Sequence, residues 1–261
     1  MVRILYIGDV VGQPGRRALH QKLEHVIDRE RIDFTIVNIE NAAGGFGVTE
    51  AIMEELSELP INAYTSGNHI WDKKEFVDNY DRYPHVVRPA NYPAGNPGPG
   101  RVVRPTASGV QVAVLQLMGN VFMPPCENPF HVADRELREL DGTKVIIVDI
   151  HCEATSEKQA MGRYLDGRVS AVLGTHTHVP TADERILPNG TAFQTDVGMT
   201  GAYDSVIGFR PEEALHRFLM NTPKKLEVAK KDVRMAGAMI EIDEATGLAA
   251  SIVRIHEKLG E

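Results

Sequence analysis

The chain has 261 residues, 43% of them apolar and 25% charged, with acidic side chains outnumbering basic ones 36 to 28. That length can bury a core without disulfides or a structural metal, and the composition excludes a disordered or fibrous chain. The net charge of −8 argues against broad, non-specific gripping of nucleic acid, but not against a small phosphate ligand with its own local cations. Cys126 and Cys152 are too few for a disulfide scaffold and form no C-x-x-C pair. The apolar start MVRILYIGDV lacks a cleavage pattern, and no run reaches the roughly 18 residues of a bilayer span, so a reducing cytoplasmic setting without a membrane is expected.

In chain order, VRILYIG (2–8) reads as a buried strand and PGRRALHQKLEHVIDRE as a helix, with Leu19, Leu23, Val26 and Ile27 on one stripe. DFTIVNI (33–39) is a second strand, 49–59 a second helix and INAYTSG (61–67) a third strand. Asp72 and Glu75 have the spacing of a capping box for a short helix over 73–79. The stretch from Pro84 to Pro105, dense in proline and glycine, reads as an ordered surface loop. Further strands are expected at 110–118, 144–150, 169–175 and 191–197, with helices near 132–140, 156–165 and 211–220. The tail from Ala236 reads as a hairpin closing a sheet edge. With no internal repeat and no low-complexity segment, one α/β domain over residues 1–261 is expected.

The chemistry lies in the residues just past each buried run. Asp9 comes after the first, Glu40 and Asn41 after the second, and Asn68 and His69 after the third; His151 comes after 144–150, and His176 and His178 after 169–175. Ligands collect at the carboxyl ends of strands in α/β sheets, so these positions can converge. Carboxylate, amide and imidazole together form the mixed N/O set that holds manganese, iron or zinc. In an extended T-H-T-H, His176 and His178 would project to one side about 6.5–7 Å apart, which suits two ions. Singly, each residue reads equally well as a cap, a turn or an ordinary strand-end side chain; together they point to a shared metal site. His20, His25 and His216 fall on amphipathic helices, Cys152 reads as a small buried hydrophobe, and Trp71 as packing.

G-D (8–9), the acidic strand end at 40, G-N-H (67–69), His151 and G-T-H-T-H (174–178) resemble the spaced motifs of calcineurin-type metallophosphoesterases, over roughly the first 200 residues. The usual D-x-H is absent, because Val10 and Val11 follow Asp9, and N-I-E-N stands in the second motif. These departures, with the later V-G-M-T-G-A-Y-D-S-V-I-G, are similar to the YmdB-like branch. The resemblance implies two packed β-sheets flanked by helices and a site for two ions, iron or manganese, with zinc as the alternative. It implies that Asn41 replaces the missing first-site ligand and that Glu40 bridges. Site one would then be Asp9, Asn41, His178 and Glu40, and site two Glu40, Asn68, His151 and His176. It also implies a phosphodiesterase acting on cyclic nucleotides through metal-activated hydroxide, with His69 as general acid to the departing oxygen. A phosphomonoesterase or nucleotidase, and a regulatory protein that binds a metal-nucleotide without turnover, are the rivals. A homo-oligomer is left open.

Overall fold

In the computed structural model, which describes residues 1–260, the first apolar run forms β1 (Val2–Ile7), followed after Gly8 by the short β2 (Asp9–Val10). Then come α1 (Gly12–Glu30), β3 (Phe34–Asn38), α2 (Glu50–Ser57), β4 (Ala63–Thr65) and α3 (Lys74–Asp78). The middle of the chain holds β5 (Arg101–Pro105), β6 (Gln111–Met118), α4 (Pro129–Arg138), β7 (Val145–His151), α5 (Thr155–Leu165) and β8 (Ala171–Thr175). The last third adds β9 (Arg185–Ile186), β10 (Ala192–Gln194), β11 (Met199–Ala202), α6 (Pro211–Met220), β12 (Val233–Ile242) and β13 (Ala249–Lys258).

These strands make two sheets. The first has the order β2-β11-β12-β1-β3-β4 with β13 beside β12; β1, β3 and β4 run parallel. The second has the order β5-β6-β7-β8-β10-β9, with β6, β7, β8 and β10 parallel. Strands buried on both faces read as continuous apolar runs, and alternate residues serve alternate faces. In β1, Ile4 and Tyr6 point toward the second sheet and meet residues such as Val114, Ile147 and Leu173. Leu5 and Ile7 point the other way, to Leu19, Leu23 and Met53 of α1 and α2. Leu115 and Val148 of the second sheet meet Val132 of α4 and Met161 of α5 on its outer face. The result is four layers, helix–sheet–sheet–helix, as expected. Burying each such large side chain contributes about 1.5–3 kcal/mol.

The Pro84–Pro105 segment differs from the surface loop expected for it. Residues 86–91 are buried, and 101–105 form β5 against β6. Val86 bridges to Tyr64 of β4, whose carbonyl accepts the Val87 N–H at 2.9 Å; the Ala90 N–H donates to the Gln116 carbonyl of β6 at 2.8 Å. The segment therefore ties the β4 edge of one sheet to β6 of the other. Pro84 and Pro89 lack the N–H groups of a regular strand, which is why it carries no strand pattern in sequence.

Candidate metal and phosphoester site

The parallel strands of both sheets end at one side of the molecule, and the ligand-type residues stand there. β3 stops at Asn38, and the chain turns at once, with the Ala42 N–H donating to the Ile39 carbonyl at 3.1 Å. Gly44, Gly45 and Gly47 carry the turn onward at φ of +68°, +97° and +75°. Leaving the extended state at residue 40 lets adjacent Glu40 and Asn41 face the same centre.

Glu40 is at the middle of the cluster. Its Oε1 lies 3.0 Å from His151 Nε2 and 3.3 Å from Asn41 Nδ2, and its Oε2 accepts the His69 N–H at 3.0 Å. Asn41 Nδ2 is 3.0 Å from His178 Nε2. His151 Nε2 is also 3.2 Å from Asn68 Oδ1 and 3.1 Å from His176 Nδ1. The His176 N–H donates to Asp9 Oδ2 at 3.2 Å. All eight residues singled out in the sequence thus join one chain of contacts.

The ring orientations are set from behind. His151 Nδ1 lies 2.8 Å from Thr175 Oγ1, whose hydroxyl donates to Asp149 Oδ1 at 2.7 Å, so Nδ1 carries a hydrogen and Nε2 is the nitrogen left to face a cation. Asp149 also accepts from the Tyr6 hydroxyl and, at 3.3 Å, from the Gln116 amide. His178 Nδ1 donates to the Ile207 carbonyl at 2.9 Å, again freeing Nε2. The expected extended T-H-T-H is corrected here. β8 ends at Thr175, and His176 and His178 have φ of +90° and +66°. Asp196 holds this unusual backbone by accepting the Thr177 N–H at 3.2 Å.

Three groups crowd one nitrogen, His151 Nε2, although a single ring N–H can serve only one of them. Asp9 Oδ1 and Asn41 Oδ1 are buried without any hydrogen-bond partner, which in an apolar setting costs about 1–3 kcal/mol each. Glu40, His151 and His176 offer ligand atoms that all lie within 4.8 Å of one another. Lone pairs converging on a centre, with orphaned oxygens aimed nowhere else, fit cations, and the N/O donor set suits transition metals.

Without ions the cluster is strongly polarised. Burial pushes the Asp9 carboxyl up to about 6. Burial also opposes the Glu40 charge, but His151 and His69 pull that carboxyl down to about 2. Burial disfavours charge on His151, yet the Glu40 carboxylate against it raises the imidazole to about 9. Burial and the neighbouring His151 push His176 down to about 3. In the ion-free protein the Glu40–His151 pair thus favours a bound proton where a cation would otherwise balance the carboxylate.

His69 stands apart, at the rim, with its side chain 28% exposed. Its Nδ1 lies 2.8 Å from Asp72 Oδ2. The capping role expected of Asp72 is therefore corrected: α3 begins at Lys74 after Lys73, with no side-chain cap, and the carboxylate goes to the imidazole three residues back. Sequence reasoning also passed over Glu153, whose Oε2 is 3.2 Å from His176 Nε2. Its signal was present in H-C-E, two residues after His151. Asp149, a carboxylate inside the apolar VIIVDI run, was a second available signal.

The family model described as YmdB-like protein matches residues 5–255. This chain belongs to the YmdB-like family. It is 49% identical over 255 residues to the 2',3'-cyclic-nucleotide 2'-phosphodiesterase of Bacillus subtilis, covering 97% of this chain and 96% of that protein. A phosphatase of Mycoplasma pneumoniae superposes with a TM-score of 0.93 at 33% identity, covering 98% of this chain and 93% of that one. A 5'-nucleotidase precursor of Thermus thermophilus superposes at 0.55 with 14% identity, over 99% of this chain and 54% of that one, a likeness of fold alone. In this YmdB-like chain Gly67 of G-N-H has a packing reason. A Cβ there would lie 2.3 Å from both Glu40 Oε2 and His151 Nε2, so only glycine lets the turn after β4 pass this close to the cluster. No helix among the described residues is long and apolar enough to cross a membrane.

Proposed function

We propose that this YmdB-like protein is a phosphodiesterase working with two transition-metal ions, iron or manganese ahead of zinc, on nucleoside cyclic phosphates, 2',3'-cyclic esters among them. The observation that supports the reading is the buried Glu40 carboxylate, whose Oε1 lies against both His151 Nε2 and the amide of Asn41, which in turn contacts His178. Asp9, Asn41, His178 and Glu40 would hold one ion, and Glu40, Asn68, His151 and His176 the other. Bound there, the ions supply a water acidified toward neutral pH and positive charge beside the phosphoryl oxygens.

The chain's own residues do the rest. Thr175 and the Ile207 carbonyl keep His151 and His178 in the tautomers that present Nε2. Asp72 holds His69 through Nδ1, which leaves Nε2 to give a proton to the departing ribose oxygen. The cavity over these groups also takes in the apolar side chains of Phe46, Ile207 and Phe209, which limit water around the ester.

The B. subtilis relative's name supports the cyclic-diester substrate class. The test is a panel of 2',3'- and 3',5'-cyclic nucleotides against the matching monoesters, using metal-reconstituted protein. Faster hydrolysis of the diesters is expected. Turnover of monoesters alone would replace the reading with a nucleotidase, and tight binding without turnover would replace it with a regulatory nucleotide-binding protein.

A further inference from the structure

The cavity that opens on Glu40, Asn41, His176 and His178 holds about 670 Å³. That is far more than a phosphate group fills, and it falls in the roughly 300–1,000 Å³ range of sites that bury a whole organic ligand. Phe46, Ile207, Phe209 and Phe218 supply its apolar lining. The Phe46 ring stands edge-on to His69 at 5.0 Å and lies stacked on Phe209 at 5.2 Å, so aromatic surface begins beside the imidazole. Ala214, Arg217, Phe218 and Asn221 follow the i, i+3, i+4, i+7 spacing that turns one face of α6 and its C-cap to the cavity. On that face Phe218 is 77% exposed.

Ile207 adds an independent observation. Val206 and Phe209 exchange two backbone hydrogen bonds, 2.9 and 3.0 Å, around a two-residue turn. Its central residues, Ile207 and Gly208, have φ of +47° and +99°. Asn, Asp or Gly suit the first of these positions, and a β-branched side chain is disfavoured there. Ile207 gains no core burial in exchange, being 47% exposed. A strained backbone that holds an apolar side chain in the open, over the reacting groups, points to a role in contacting a bound ligand.

We propose that this wall is the subsite for the nucleobase of the substrate, with the base stacked against Phe218 and Phe46 and Ile207 packed against it. The proposal rests on the phosphodiesterase reading above. The base is attached to the ribose whose oxygen departs toward His69, and Phe46 is the aromatic side chain against that imidazole. The Arg217 guanidinium gives its Nε–H to the Lys224 carbonyl at 2.8 Å, and the wall nearest His69 is aromatic and aliphatic, so stacking carries the larger share of base recognition. All bases should therefore be accepted, purines better than pyrimidines because they offer more stacking area.

The test compares adenosine 2',3'-cyclic phosphate with the base-free 1-O-methyl riboside 2',3'-cyclic phosphate, which presents the same reacting group. The wild-type protein should favour the nucleotide in kcat/KM. Phe218→Ala should lower that preference about 5- to 150-fold, mainly through KM, and Phe218→Trp should restore it. Ile207→Gly, which relieves the backbone, should lower the preference as well. A wild-type enzyme that cleaves both substrates equally, or a preference unchanged in Phe218→Ala, would overturn the subsite and leave the phosphodiesterase reading standing. Cleavage of neither substrate by the metal-reconstituted protein would overturn both.

Discussion

Replacing Lys158 by Met should weaken the support of the loop that carries His176 and His178 while leaving every proposed ligand in the chain. Lys158 of α5 pairs with Asp196 at 2.7 Å, with the two side chains 1% and 0% exposed. Asp196 Oδ2 also accepts the Thr177 N–H at 3.2 Å and hydroxyl at 2.5 Å, and Oδ1 accepts the Gly198 N–H at 2.7 Å. Thr177 sits between His176 and His178, so this carboxylate fixes the left-handed backbone that carries both histidines. Lys158→Met preserves length and apolar stem but leaves Asp196 charged and unpaired in the interior. Removing one partner of a buried pair costs about 3–5 kcal/mol. For a chain of this size each kcal/mol moves Tm by about 2–4 °C, so a fall of about 6–20 °C is expected. Thermal and urea melts followed by circular dichroism should use ion-free protein, because metal binding would mask the loss by mass action. Adding Asp196→Asn removes the stranded charge and should recover a substantial part of the loss. A single variant within about 1 kcal/mol of wild type, or a double variant whose loss equals the sum of the singles, would refute the reasoning.

Three further outcomes rest on the same geometry. Thr175→Val takes away the acceptor for the His151 Nδ1 hydrogen and should weaken metal affinity about 10- to 100-fold in competition with a chelator, with the fold retained. His69→Ala should keep its metals yet lose about 10²–10⁴-fold in rate on a ribose ester, and far less on a p-nitrophenyl diester that departs without a proton; equal losses would reassign His69 to stabilising the phosphoryl group. In ion-free protein, His151 rises from 6.5 to about 9, so its stabilising pair with Glu40 is complete below pH 6.5 and is lost as pH climbs through about 9. Metal binding near pH 7.5 must then displace that proton, and calorimetry in buffers of different ionisation enthalpy should record its release.

The sheets were legible because their strands are buried on both faces and so read as uninterrupted apolar runs. Chemistry at the ends of those runs then marked Asp9, Glu40, Asn68, His151 and the two histidines after β8. The 86–91 segment was not legible, since prolines and polar residues conceal a backbone that ties the β4 edge of one sheet to β6 of the other without a regular ladder. Asp72 misled because a helix cap and a partner for His69 ask for the same residue type at nearly the same place, and only the fold decides between them. Thr175, Asp149 and Asp196 act through other side chains and have no spacing of their own. Ile207 and Phe218 are ordinary apolar letters in sequence. Only a φ of +47° and an exposed ring facing the cavity set them apart.

The central claim is that Glu40 joins two ions, and metal content measured against activity tests it most directly. Protein prepared without chelator and reconstituted with iron or manganese should saturate at about two ions per chain, with activity rising in step with the second. Glu40→Gln should lose metal and activity together, because both sites share the one carboxylate. Full activity at one ion per chain, or a fully active Glu40→Gln, would contradict the account.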